Sequence, residues 1–260
     1  MPFSKSGETK LSNMRAKNLF VAGLVISALI GMQGARAADG PTVDSILAKH
    51  IEGMGGKAAL EKVNSRVLKF KMESETIGSS DGQIFAKAPN KQRSQIELSN
   101  SGTINEGFDG SIAWAQSPWE PLHEKTGDEL AKTKRDAEFH RDLKLKSIYP
   151  DLAYKGTEKE GEEEVYVLET KPSASSKERF CLSTKTGLLV REDSQFEGPQ
   201  GQVALTMLAQ DYKAFDGIKY PTQMKLKVSV GGQSFEFSMK VVEVKHNVTI
   251  EDTKFAKPSA

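Results

Sequence analysis

Phe108-Asp109-Gly110-Ser111-Ile112-Ala113-Trp114 and Asp211-Tyr212-Lys213-Ala214-Phe215-Asp216-Gly217-Ile218-Lys219-Tyr220-Pro221 decide the fold. In each, an Asp-Gly pair stands between strand-forming residues, and Asp-Gly supplies the positive φ angles of a two-residue type I′ turn. Both stretches read as strand, tight turn, strand. Working outward, Leu68, Phe70 and Met72 alternate with Lys69, Lys71 and Glu73, the period of a sheet with one dry face. Further strands are expected at 83–88, stopped by Pro89-Asn90, and at 91–98, stopped by Asn100-Ser101-Gly102. Ser117-Pro118-Trp119-Glu120-Pro121 ends this section, because two prolines do not fit a central strand. After an acidic turn at 158–163, strands are expected at 164–170, 178–183, 188–194, 203–212, 219–230 and 234–245.

Helices are expected at two points. Val43, Ile46, Leu47, His50, Ile51 and Met54 recur at three- and four-residue spacing, with Thr42 placed to cap and Gly55-Gly56 to end the helix. A short piece at 57–63 follows. Thr126-Gly127-Asp128-Glu129 has the spacing of a capping box opening a polar helix to about His140. Its few apolar residues suit a cover, and a connector runs on through Tyr149-Pro150-Asp151. The sum is an α+β chain with a single strongly curved antiparallel sheet of about ten strands.

The first residues have the order of a secretory signal peptide. Lys10, Arg15 and Lys17 precede an uncharged apolar run, Leu19 to Met32, then Gln33-Gly34-Ala35-Arg36-Ala37-Ala38. The run is shorter than the roughly 20 residues of a membrane anchor. Cleavage is expected near Ala37, giving a signal peptide at 1–37, one domain at 38–260 and a periplasmic location. Beyond the cut, 31 Lys and Arg stand against 34 Asp and Glu, a net charge of −3. Such a balance carries no footprint for nucleic acid and no polybasic tract for anionic lipid. Cys181 is the only cysteine, so no intramolecular disulfide is available. Ala38, not a cysteine, follows the expected cut, which excludes lipoprotein attachment there.

No catalytic pattern emerges. His50, His123, His140 and His246 are scattered without metal-ligand spacing, and there is no nucleophile elbow, phosphate loop or Cys-x-x-Cys. Cys181 sits mid-strand between Phe180 and Leu182, as an inert buried thiol would. The acidic run at 158–164 lacks the order of a calcium loop. The positive signal is apolar: Leu68, Phe70, Met72, Ile84 and Trp114, with Met207, Met224, Leu226 and Phe237, on one face of a curved sheet that a single short helix covers incompletely. These side chains either fill a core or line a cavity for an acyl chain.

The order of motifs resembles the LolA/LolB-like periplasmic lipoprotein-carrier superfamily, in its outer-membrane lipoprotein-sorting protein-like branch. The resemblance rests on Gly82-Gln83-Ile84-Phe85-Ala86-Lys87-Ala88-Pro89-Asn90, on Phe108 to Trp114 followed by Pro118, on Thr186-Gly187-Leu188-Leu189 and Asp211 to Pro221, and on Asn247, Ile250, Phe255 and Pro258. It implies an incomplete β-barrel closed by helices, with a hydrophobic cavity for acyl chains, no cofactor and no reaction. Leu68, Phe70, Met72, Ile84, Trp114 and Trp119 would then be cavity contacts, the 126–140 helix a lid, and lipids or lipoproteins the ligands, with envelope membrane proteins as candidate partners. In the carrier itself an arginine precedes the proline and latches the lid, whereas here Ala88 stands there. The expected function is non-enzymatic lipid or lipoprotein binding. The alternative is an envelope interaction module with a filled interior, and an enzyme would require carboxylates and histidine clustered only by the fold.

Overall fold

Thr42 caps the first helix as its position demands, its hydroxyl accepting from the Ser45 N–H at 3.1 Å. Helix α1, Val43–Met54, buries Ile46, Leu47, His50 and Met54, and Gly55 ends it at φ 125°. The computed structural model describes residues 40–76, 78–99 and 101–259. The expected signal peptide lies outside the described residues.

After α2, Lys57–Glu61, the chain enters a meander: β1, Ser65–Ser74; β2, Gly78–Lys87; β3, Lys91–Leu98; β4, Gly102–Phe108; β5, Ala113–Ser117; and β6, Glu120–Glu124. Helices α3, Gly127–Asp136, and α4, Arg141–Ile148, follow. A second meander comprises β7, Ala153–Glu160; β8, Glu163–Thr170; β9, Lys177–Ser183; β10, Leu189–Gly198; β11, Gly201–Phe215; β12, Ile218–Val230; and β13, Gln233–His246. The thirteen strands form one antiparallel sheet in the order β6-β5-β4-β3-β2-β1-β13-β12-β11-β10-β9-β8-β7. Pairing of β1 with β13 joins the two meanders at the middle, and β6 and β7 are left as the sheet's ends. The barrel is therefore incomplete, and α3 and α4 are the chain that runs between its two ends.

The sequence reading undercounts the strands because of those two ends. Pro121 is accommodated in β6, an end strand with one side free of ladder bonds. In β7 the acidic residues expected in a turn instead line an exposed end strand, and the turn shrinks to Gly161-Glu162 between paired Glu160 and Glu163. The lid helix stops at Asp136, and α4 occupies the expected connector. Thr126 makes no side-chain cap bond, and Glu129 turns instead to Lys125 at 3.3 Å.

The two Asp-Gly turns also differ. Asp216 and Gly217, at φ 50° and 83°, make the expected two-residue turn between paired Phe215 and Ile218. Asp109 opens a four-residue loop, its Oδ1 accepting from the N–H groups of Ser111 and Ile112 at 2.8 and 2.7 Å. Helix α1 sits directly on the turns of the second meander. A Cβ on Gly55 would fall 2.1 Å from the Gly217 carbonyl oxygen, and one on Gly187 2.4 Å from that of Lys49.

Two large clusters fill the inner side of the sheet. One gathers Leu68, Phe70, Met72, Ile218, Tyr220, Met224, Val241 and Val244, with Val63 from the segment after α2. The other packs Ile46 and Leu47 of α1, and Leu145 of α4, on Leu168, Phe180 and Leu182. Each fully buried aliphatic or aromatic side chain there contributes roughly 1.5–3 kcal/mol.

Candidate functional site: an open cavity with two unlike walls

Between the clusters lies a cavity of about 830 Å³, open to solvent, bordered by β10–β12 on one side and by β4, β6, α3 and α4 on the other. The first wall is mostly apolar, with Ser194 and Glu192 of β10 as its polar members. Register places Phe196, Val203 and Val230 on one rung across β10–β12, Leu205 and Val228 on the next, and Met207 and Leu226 on a third. All seven border the cavity and are half-buried, and Met207 also packs on the edge of the filled cluster.

The second wall is made of ion pairs. Lys125, only 9% exposed, reaches Glu106 at 2.9 Å and Glu129 at 3.3 Å. Burial alone would lower the Lys125 pKa, and the two carboxylates outweigh it and raise it. Lys132 pairs with Asp136 at 2.7 Å. Burial pushes the Asp136 carboxyl up, but Lys132 and Arg141 bring it below its usual value.

Arg141 holds Glu192 at 2.7 Å and stacks over the Phe180 ring at 5.2 Å. Behind it Glu178, 1% exposed, accepts from Arg135 at 2.8 Å and from the Tyr149 hydroxyl. Because Glu178 belongs to β9 and Arg135 to α3, this buried network fastens the helix to the second meander. Leu130 of α3 and the adjacent Ala137 pack on Phe108 and Ala113 of the first, so α3 bridges the opening. Asp128 near its start accepts from the hydroxyls of Ser173 and Ser176, both at 3.1 Å, and from Ser175.

A second histidine-centred clamp lies at α1. His50 Nδ1 faces the Gly187 carbonyl at 2.9 Å, and Nε2 faces Asp142 Oδ1 at 3.2 Å. Burial lowers the imidazole pKa, but the Asp142 carboxylate and the Gly187 carbonyl together raise it above 6.5. Both ring nitrogens face acceptors, which suits the imidazolium. Burial pushes Asp142 up, but its bond to His50 holds it down at about 2.

Of the expected contacts, the structure brings Leu68, Phe70, Met72 and Ile84 together on the inner side, but as the filled cluster on β1, β12 and β13. None of the four borders the open cavity. Trp114 is fully buried on the opposite face, because it pairs with Gly107 while Ala113 and Phe108 point inward. Its indole N–H donates to the Phe255 carbonyl at 3.0 Å, under the C-terminal segment. Trp119, 63% exposed, sits in the β5–β6 turn. Met207 and Leu226 do line the cavity, whereas Met224 and Phe237 belong to the filled cluster. The remaining wall residues were missed although their alternation is as regular as that of β1.

Ala88 offers no guanidinium, as its side chain dictates. The segment joining α3 to α4 is tied beside it by the backbone, the Phe139 N–H donating to the Pro89 carbonyl at 2.9 Å. Burial pushes the Cys181 thiol up to about 11, in keeping with an inert core cysteine. Among the described residues no group of His, Cys, Asp and Glu is placed to hold a metal ion, and no helix is long and apolar enough to cross a membrane.

No family model and no curated protein matches the chain. Among solved structures, a DUF1329 family protein from Desulfovibrio piger is similar at a TM-score of 0.51 and 12% identity, over 84% of this chain and 98% of that one. The likeness is one of fold. A LolA superfamily protein from Nitrosomonas europaea has a TM-score of 0.49 at 14% identity, over 83% of this chain and 98% of that one. An outer membrane lipoprotein-sorting protein domain from Vibrio parahaemolyticus has 0.48 at 12%, over 82% and 95%. At such identities the likeness concerns the backbone alone, and function must be argued from the cavity.

Proposed function

We propose that the protein is a non-enzymatic periplasmic binding protein for lipids or for the acyl chains of lipid-modified proteins. One observation carries the reading: the three rungs of apolar side chains on β10–β12 border an open cavity. Each CH₂ laid on it leaves water for a gain of roughly 0.8 kcal/mol. A volume of about 830 Å³ falls in the range of roughly 300–1,000 Å³ typical of small-molecule sites. An interaction module with a filled interior would leave no such space.

The test is gentle purification from the cell envelope, native mass spectrometry and organic extraction, with binding of the neutral fluorophore N-phenyl-1-naphthylamine to the emptied protein. A stoichiometric lipid or acylated protein, displaced by the fluorophore, is expected. An empty protein that leaves the fluorophore unchanged would overturn the proposal.

A further inference from the structure

The cavity's lysines and arginines are Arg66, Lys125, Lys132 and Arg141. Three of them are paired: Lys125 with Glu106 and Glu129, Lys132 with Asp136, and Arg141 with Glu192. Arg66 differs. No carboxylate of the described residues lies within 4.0 Å of its guanidinium. Its Nη1 donates to the Tyr220 hydroxyl at 3.3 Å, and its Nε is buried without a partner.

Arg66 is nevertheless held in place. Its guanidinium lies 5.2 Å from the Tyr220 ring centre and 5.8 Å from that of Phe139. The Tyr220 hydroxyl meets His246 Nε2 at 2.9 Å, and His246 Nδ1 meets Asp216 Oδ2 at 2.9 Å. With Nδ1 donating to Asp216, Nε2 accepts from Tyr220, and the hydroxyl keeps a lone pair for Arg66. Asp142 borders a smaller pocket that Arg66 also lines and its charge acts on the guanidinium from beyond contact distance, while its Oδ1 is engaged by His50. A partly buried guanidinium with an unmet donor, at the edge of the cavity, lacks an anion in contact.

We infer that Arg66 receives the single oxyanion of an acyl-chain ligand, a carboxylate or a phosphodiester, whose hydrocarbon lies along the three-rung wall. The inference rests on the lipid-binding reading and adds the headgroup to it. The planar fork of the guanidinium can give two parallel N–H bonds to such an oxyanion, and an alcohol offers no charge to match.

Competition against N-phenyl-1-naphthylamine tests it, using palmitate, 1-palmitoyl-lysophosphatidylglycerol and hexadecanol below their aggregation concentrations. In the wild-type protein at least one of the two anions should displace the fluorophore about 10-fold more tightly than hexadecanol, the size expected of one charge-assisted hydrogen bond. In Arg66→Met that preference should vanish while hexadecanol is unaffected. The anion that wins names the source of the oxyanion, a free fatty acid or a phospholipid headgroup. Equal displacement by all three in the wild type would overturn the inference and leave lipid binding standing, a comparison that needs no variant. A preference that survives Arg66→Met would overturn it too. Failure of the fluorophore to bind would instead defeat the lipid reading itself.

Discussion

The two walls of the cavity share one framework and use it in opposite ways. On β10–β12 seven apolar side chains border the cavity half-buried, Glu192 and Ser194 being the polar exceptions. Opposite, Lys125, Lys132 and Arg141 are each held by carboxylates, and Glu178 behind them is buried among Arg135, Arg141 and Tyr149. Water can leave the first wall at a gain when an apolar ligand arrives. The second gains nothing from an apolar ligand, and its order comes from internal pairing. One wall is built to be covered, the other to hold a helix across the opening.

The sharpest way to break this comparison is Glu178→Ala. Removing the carboxylate leaves Arg135 without its partner in a largely buried place and takes the acceptor from the Tyr149 hydroxyl, while Arg141 keeps Glu192, and should cost about 3–5 kcal/mol in urea unfolding. A loss below about 1 kcal/mol would show that the ion pairs do not hold α3. Leu205→Asp attacks the other wall. A charge under the acyl chain should weaken fluorophore binding about 100-fold, a penalty of a few kcal/mol. Its urea midpoint should barely move, because the position already borders solvent; strong destabilisation would mean that the wall is core.

Gly82→Ala probes the filled part of the inner face. The new Cβ would stand 2.2 Å from the Phe70 ring, so the variant should lose about 1–3 kcal/mol in the same assay. Val228→Leu on the open wall, the matched enlargement, should cost less than about 0.5 kcal/mol.

His50→Gln tests the clamp that seats α1 beside the charged wall. The fold raises the His50 pKa, so its contribution is complete below about pH 6.5 and is lost as pH rises through the folded value. Asp142, held at about 2, contributes above its ordinary pKa of about 3.9 and loses that only as pH falls toward its folded value. The gap in unfolding free energy between wild type and His50→Gln should be larger at pH 6 than at pH 9; an equal gap would show a neutral imidazole. The smallest effect is expected of Trp119→Ala. Its ring is 63% exposed, so stability should change by less than about 0.5 kcal/mol, as calorimetry would show.

Much of the sheet was legible because turns and periodicity are local. Lys91–Leu98 falls on its expected bounds, and the Asp216-Gly217 turn takes the backbone its residues demand. The two sheet ends were not legible. Pro121 bars a central strand but not an end strand, and the acidic residues of β7 read as a turn until their position at the edge is known. Trp114 lies on the outer face for a different reason: alternation says that it points opposite to Ala113 and Phe108 but not which of the two sides is inward, and Phe108 and Ala113 take the inner one beside Ala137.

The candidate site divides the same way. Sequence alone determined the α+β class, the antiparallel meander, the capped first helix and the alternation of apolar side chains, all consequences of dihedral preference and period. It could not say which alternating run would be covered. Leu68-Phe70-Met72 and Val203-Leu205-Met207 are equivalent as patterns, but the first is buried with Met224, Val241 and Val244 while the second borders an open cavity and touches that cluster only through Met207. Only the tertiary structure decides that, because coverage depends on what the β1–β13 pairing brings from more than 100 residues away, and on α3, whose Arg135 reaches Glu178 43 residues on.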